Sequence, residues 1–193
     1  MKDLSAAGYG AIAPDYLGYG NSDMPIKVKA YNLKTIGGRM MEVLHNEGVN
    51  TVVGVGHDLG TKVPSRTNVW YPDRFETCSS LFWCNLATCS SATLTFSNSY
   101  DTAKLAAEHE DKKTWMATYS KPNATGASMN YYKTLLRGVQ AKDEEVLIDE
   151  DRMVKVPVLA IAGSRDLVTR AEQMGMITKA FAQAGYTDRV LNA

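Results

Sequence analysis

The stretch from Val52 to Gly60 puts a carboxylate where chemistry could be done. Val52 to Gly56 is an apolar run that predicts a buried strand, and Asp58 falls at a sharp turn before a helix start. Gly56 stands two residues before Asp58 and Gly60 two after. This is the G-x-D-x-G form of a nucleophile elbow, a strained strand-to-helix turn that pushes one side chain out over a parallel sheet. A tight turn brings backbone close, so small residues are expected at both glycine positions. The helix start would aim free N–H groups at an anion formed there. Two other readings use the same residues. Asp58 serves equally as a helix N-cap. Gly54, Gly56 and Gly60 also resemble a dinucleotide fingerprint, which would make an NADP-binding domain. That fingerprint needs an acid about 20 residues on, at the end of the next strand. Asp73 and Glu76 come before the next apolar run, and that run ends at Asn85 without one.

The elements around this turn follow from periodicity and breakers. Residues 2–7 predict the last turns of a helix stopped by Gly8, and Tyr9 to Ala13 a short strand ended by Pro14-Asp15. Tyr16 to Pro25 is a loop rich in Gly, Asn and Ser, in which Asp15 and Asp23 are expected to bond nearby backbone. Leu33, Ile36, Met40 and Leu44 set a helix over 32–47, weakened by Gly37-Gly38. Residues 59–70 predict the next helix, provided it bends or starts late around Pro64. Residues 75–84 predict a strand. A Ser/Thr-rich stretch over 88–102 has little periodicity. Helices are expected over 103–119 and 131–137, and a charged surface segment over 139–152. Val156 to Ala162 is a second buried strand, turning out through Gly163 to Asp166. A capping box at Thr169 and Glu172 opens a helix whose core face is Met174, Ile177, Phe181 and Ala184, with Gly185 as its stop. Thr187 to Leu191 begins a last strand. Strands alternating with helices indicate an α/β fold with a mostly parallel sheet.

Composition narrows the function classes. Lys plus Arg and Asp plus Glu number 21 each in 193 residues, so no basic excess points to nucleic acid. No apolar run reaches membrane-spanning length, and the first residues lack the apolar core of a signal peptide. Cys78, Cys84 and Cys89 form no C-x-x-C pair and are expected to be reduced thiols in a cytoplasmic protein. No metal or organic cofactor is implied. Of the three histidines, His45 suits a helix C-terminus, and His109, among Glu108, Glu110 and Asp111, reads as a surface residue.

Several stretches together resemble the α/β-hydrolases of the epoxide hydrolase type. They are Ala13 to Asp23, Gly56 to Gly60, Tyr71 to Phe75, Asn130 to Lys133, and Val156 to Gly163 followed by Asp166. The resemblance implies a partial α/β-hydrolase fold: core over 1–84, a helical cap-like insertion over 85–152, and core again over 153–193. It implies that Asp58 attacks an epoxide carbon to form an ester and that the N–H of Leu59 is an oxyanion donor. Tyr132 would donate to the opening oxygen, and Asp166 would orient a histidine that activates water. The substrate would be a small, apolar epoxide. On residue type alone, Asp166 is also an ordinary turn aspartate and Tyr132 an ordinary packing aromatic. Aspartate rather than serine at the elbow argues against an esterase, and Leu59 stands where dehalogenases of this fold place a halide-binding tryptophan.

The departures from the family are equally specific. No histidine follows Asp166, the first strands and their His-Gly-x-Pro loop are missing, and Tyr131 replaces a tryptophan. No convincing first cap tyrosine stands between Asn85 and Tyr119. The resemblance therefore implies a chain truncated at both ends, with impaired or no turnover and a reduced sheet of about four strands whose unpaired edges invite self-association. The alternative from another class is a non-catalytic remnant of the fold that acts as a binding module.

Overall fold

A computed structural model describes residues 2–81, 111–166 and 170–192. Four strands form one parallel sheet in the order β1 (Val52–His57), β2 (Phe75–Leu81), β3 (Val158–Gly163) and β4 (Tyr186–Leu191). Gly54 and Gly56 pair with Cys78 and Ser80, Cys78 pairs with Val158, and Gly163 with Leu191. Parallel neighbours need a crossover between them. Between β1 and β2 it is α3 (Lys62–Trp70), and between β3 and β4 it is α8 (Ala171–Phe181).

The described helices before and within this core are α1 (Lys2–Ala6) and α2 (Leu33–Asn46). Asn32 caps α2, its side chain accepting from the Thr35 N–H at 3.1 Å. Leu33, Ile36 and Leu44 are buried as the spacing predicts, whereas the buried methionine is Met41 and the expected Met40 is only half-buried. Gly37, a weakness in isolation, lets α2 and α3 approach: a Cβ there would lie 2.7 Å from Thr67 Oγ1. Pro64 is the third residue of α3. Its missing N–H is one of the four that a helix start leaves unbonded, so the late start makes it harmless.

Among the described residues three clusters make the core. Leu17, Tyr31, Leu33, Val63 and Tyr131 pack beside the elbow. Met41, Leu44, Phe75, Cys78 and Val158 lie between α2 and the sheet. Ala160, Ala162 and Met174 lie between β3 and α8. β1 is not the buried strand its apolar run predicts: its two glycines are buried, but Val53 and Val55 are 49% and 56% exposed.

Beyond β2, the second group of helices is α4 (Asp111–Tyr119), α5 (Ala124–Ser128), α6 (Asn130–Leu136) and α7 (Ala141–Glu144). The predicted helices over 131–137 and at the end of 103–119 are found here. Residues 103–110, with His109, lie outside the described residues, as do Cys84, Cys89 and Thr169 of the capping box.

Three expectations need correction. Tyr9 to Ala13 is no strand; these residues are exposed and irregular. A strand is held by a ladder partner and a packed face, and this segment, with Gly10 and two alanines, has little to bury. It does not pair with β1, which has β2 as its one partner among the described strands. The last helix ends at Phe181 rather than at Gly185, because Ala182 turns extended and bridges Val154. Of its expected core face, Met174 is buried and Ile177 half-buried. Phe181 is exposed and Ala184 lies beyond the helix.

Candidate active site

Asp58 stands where β1 ends and a short 3-10 helix, Asp58–Thr61, begins. Its φ is +50°, in the left-handed region; among the described non-glycine residues only Asn123 shares this. Such a conformation costs energy for an L-residue and marks a position that its surroundings hold in place. Two contacts hold it. Thr61 Oγ1 donates to the Asp58 carbonyl at 2.7 Å. Gly56 lies so close to the helix start that a Cβ would be 2.5 Å from Thr61 Cα and 2.9 Å from the Gly60 carbonyl oxygen. The second glycine is different: a Cβ on Gly60 would meet nothing within 4 Å. The tight turn needs smallness before Asp58 and not after it. The N-cap of this helix is His57, which makes no side-chain cap bond, and Asp58 is its first residue rather than its cap.

Leu59 is half-buried against the cluster of Leu17, Tyr31, Val63 and Tyr131. Its N–H is in the first turn of the 3-10 helix, where donors have no partner within the helix.

Tyr16, Leu17 and Tyr19 of the loop after Pro14 pack on the same cluster as Leu59 and Val63. Asp15 Oδ2 accepts from the Asn21 N–H at 3.0 Å, and the Asp15 carbonyl accepts from Ser22 Oγ at 2.6 Å. This is the turn chemistry expected of Asp15. Gly20, at φ +52°, leaves the room that the Asp15 carboxylate fills. The loop delivers Tyr19, which the sequence reading left unassigned. Its hydroxyl donates to the Ser128 carbonyl at 3.3 Å, and its ring lies 5.9 Å from that of Tyr131. Burial holds the Tyr19 hydroxyl above its ordinary pKa. Tyr119, Tyr132, Tyr31 and Asp58 add to the effect electrostatically. Two of these tyrosines, Tyr119 and Tyr132, come from the second group of helices.

One of the two, Tyr132, is the predicted donor, half-buried on α6. The other, Tyr119, ends α4. Its signal was its place at a helix terminus before the Lys121–Gly126 loop, too weak to single it out. Tyr131 is packed edge-on against Tyr31 at 5.1 Å and buried; its hydroxyl has no hydrogen-bond partner among the described residues and is held well above the ordinary range by burial and the nearby tyrosines.

Asp166 follows β3. Its N–H donates to the Gly163 carbonyl at 3.3 Å, a turn bond. Asp58 and Asp166 thus leave the same, C-terminal, edge of the sheet, with β2 between their strands. In open α/β sheets this edge is where ligands bind. His57 is exposed at the end of β1, and His45 is exposed in the last turn of α2. Among the described residues no group of three His, Cys, Asp or Glu could hold a metal ion, and no helix is long and apolar enough to cross a membrane.

No family model matches the sequence. Among curated proteins, epoxide hydrolase 3 of Siraitia grosvenorii is 37% identical over 78 residues, 40% of this chain and 25% of that protein. Epoxide hydrolase A of Mycobacterium tuberculosis is 33% identical over 78 residues, 40% of this chain and 24% of that protein. The matched segment spans about a quarter of the length of these relatives. Among solved structures, an epoxide hydrolase from Vigna radiata superposes with a TM-score of 0.70 at 20% identity, covering 97% of this chain and 76% of that one. Epoxide hydrolase A from Mycobacterium thermoresistibile does so with a TM-score of 0.65 at 18% identity, covering 93% and 74%. These structural likenesses establish the fold.

Proposed function

We propose that this chain, an epoxide hydrolase-like α/β-hydrolase by sequence and fold, opens small apolar epoxides by forming an ester on Asp58. A carboxylate oxygen of Asp58 attacks a ring carbon. The carbon–oxygen bond of the ring breaks, and the released oxygen takes a proton from the Tyr132 hydroxyl, which solvent then replaces. The Leu59 N–H serves the later step, when water adds to the ester carbonyl and an oxyanion forms. Asp166 belongs to that step too, as the partner of a base.

The observation that carries this reading is the left-handed Asp58 at the end of β1, on the same edge of the sheet as Asp166. The partial identity to epoxide hydrolases supports it. The 193 residues supply no histidine after Asp166, so in this polypeptide the ester forms and is not released. Incubation with styrene oxide, followed by peptide mass analysis, should show one adduct on Asp58 with no sustained diol. Asp58→Asn should take no adduct. Repeated turnover by this polypeptide would overturn the claim that release is blocked, and an unlabelled Asp58 would overturn the ester. The histidine inventory also favours a second reading, a binding module on the same scaffold. It would stand if the protein melts cooperatively and Asp58 stays unlabelled.

A further inference from the structure

The helix that carries Tyr132 has little to hold it on its own. α6 has seven residues, too few to be stable alone. Its N-cap, Met129, is itself helical and makes no side-chain cap bond. Something outside the helix must set its position.

Asn130, the first residue of α6, is 1% exposed. Its Nδ2 donates to two consecutive carbonyls, Pro25 at 3.3 Å and Ile26 at 3.2 Å. Two residues earlier the Ser128 carbonyl accepts from Tyr19. Further back, Lys121 Nζ donates to the Gly20 carbonyl at 2.7 Å and to Asn21 Oδ1 at 3.1 Å. All three ties end on one loop, residues 19–26. The same loop is fixed to the core, because the Tyr31 hydroxyl donates to the Pro25 carbonyl at 2.9 Å. Asparagine suits its place: it brings two donors on one short, uncharged side chain. Serine would bring one donor, and lysine a charge into a buried site.

We propose that Asn130, seconded by Tyr19, is a positioning residue for Tyr132: its amide, held by the Pro25 and Ile26 carbonyls, sets where the Tyr132 hydroxyl stands relative to Asp58. This rests on Tyr132 as the proton donor of the proposed reaction. Asn130 touches no substrate and acts through the start of α6. A shift of about 1 Å in a reacting group lowers a rate by up to roughly a hundredfold.

The test measures the rate of Asp58 labelling by styrene oxide in the full 193-residue chain, together with hydrogen exchange over residues 129–134. Asn130→Ala should label about tenfold or more slowly. Tyr132→Phe should also be slow, and the double variant no slower than Tyr132→Phe alone, since a residue acting only through Tyr132 has nothing further to lose. Labelling of Asn130→Ala at the original rate would overturn the proposal. So would a double variant slowed again by the full factor, which is the mark of general structural damage. Tyr19→Phe, which keeps the ring and cuts the bond to Ser128, carries the same comparison if Asn130→Ala does not fold. Should the unaltered protein take no label, the proposed reaction fails and exchange decides the positioning by itself. Faster exchange over 129–134 in Asn130→Ala or Tyr19→Phe supports it, and unchanged exchange overturns it.

Discussion

The two glycines that flank Asp58 should behave oppositely on substitution by alanine. At Gly56 the added methyl would sit 2.5 Å from Thr61 Cα, 2.9 Å from the Gly60 carbonyl oxygen and 2.9 Å from Thr61 N. All three are backbone atoms, so no side chain can swing away. Relief requires the helix start to move by roughly half an ångström or more, against the packing of Val63 and Leu59 on the neighbouring cluster. Overpacking of this kind costs about 1–3 kcal/mol. For a chain of this size that lowers Tm by about 2–4 °C per kcal/mol. At Gly60 the methyl meets nothing within 4 Å, and the residue is not among those with positive φ. There the substitution restricts the unfolded chain and should stabilise by about 0.4–1 kcal/mol. Thermal melts of both variants, followed by circular dichroism, compare them directly. A Tm for Gly56→Ala within a degree of the original, or a larger loss at Gly60 than at Gly56, would refute the argument that the close approach lies before Asp58.

Tyr131→Phe should leave the protein as stable as before or raise its stability by about 1 kcal/mol, because it deletes a buried hydroxyl that has no partner; a loss above that amount in a denaturant titration would show that the hydroxyl is bonded. Cys78 is buried, and burial pushes its thiol pKa up to about 12. The unfolded chain loses this proton near its ordinary value and the folded one keeps it, so the favourable contribution is complete below about pH 8.5 and falls as pH rises toward 12, by about 1.4 kcal/mol per unit. Denaturant titrations between pH 8 and 11 on the original and on Cys78→Ala check this: the slope with pH should be shallower in the variant, and equal slopes would count against it.

How much of this was legible in the residues can be argued element by element. The parallel α/β core was legible because β1 and β3 are short apolar runs bounded by Gly, and α2 has its buried stripe at helical spacing. The strained turn was legible because Asp58 and Gly56 combine two steric demands that few sequences need together. What misled was locality. Tyr9 to Ala13 has the composition of a strand, yet pairing is decided by a neighbour that sequence does not display, and it has none among the described strands. The end of α8 was decided by a bridge from Ala182 to Val154, almost thirty residues away. Tyr19 and Tyr119 were invisible as a pair for the same reason. Each is an ordinary tyrosine in its own segment, and only the fold brings a loop ahead of α2 together with the end of α4.

The order of the sheet also says something about time. Gly54 and Cys78, which pair across β1 and β2, are about 24 residues apart, so this half of the sheet can assemble early. Cys78 and Val158 are about 80 residues apart, and β4 cannot dock before β3 exists. On a ribosome that adds roughly 5–20 residues per second, β1 and β2 would wait several seconds for their third strand. During that interval Phe75 and Cys78 could pack on Met41 and Leu44 of α2, but the places of Val154 and Val158 in the same cluster and the β3 edge of β2 would face solvent or a chaperone. A chain built with its long crossover in the middle of the sheet is therefore most vulnerable while it is being born, and its yield in cells should depend more on translation rate and chaperone supply than on the stability of the finished molecule.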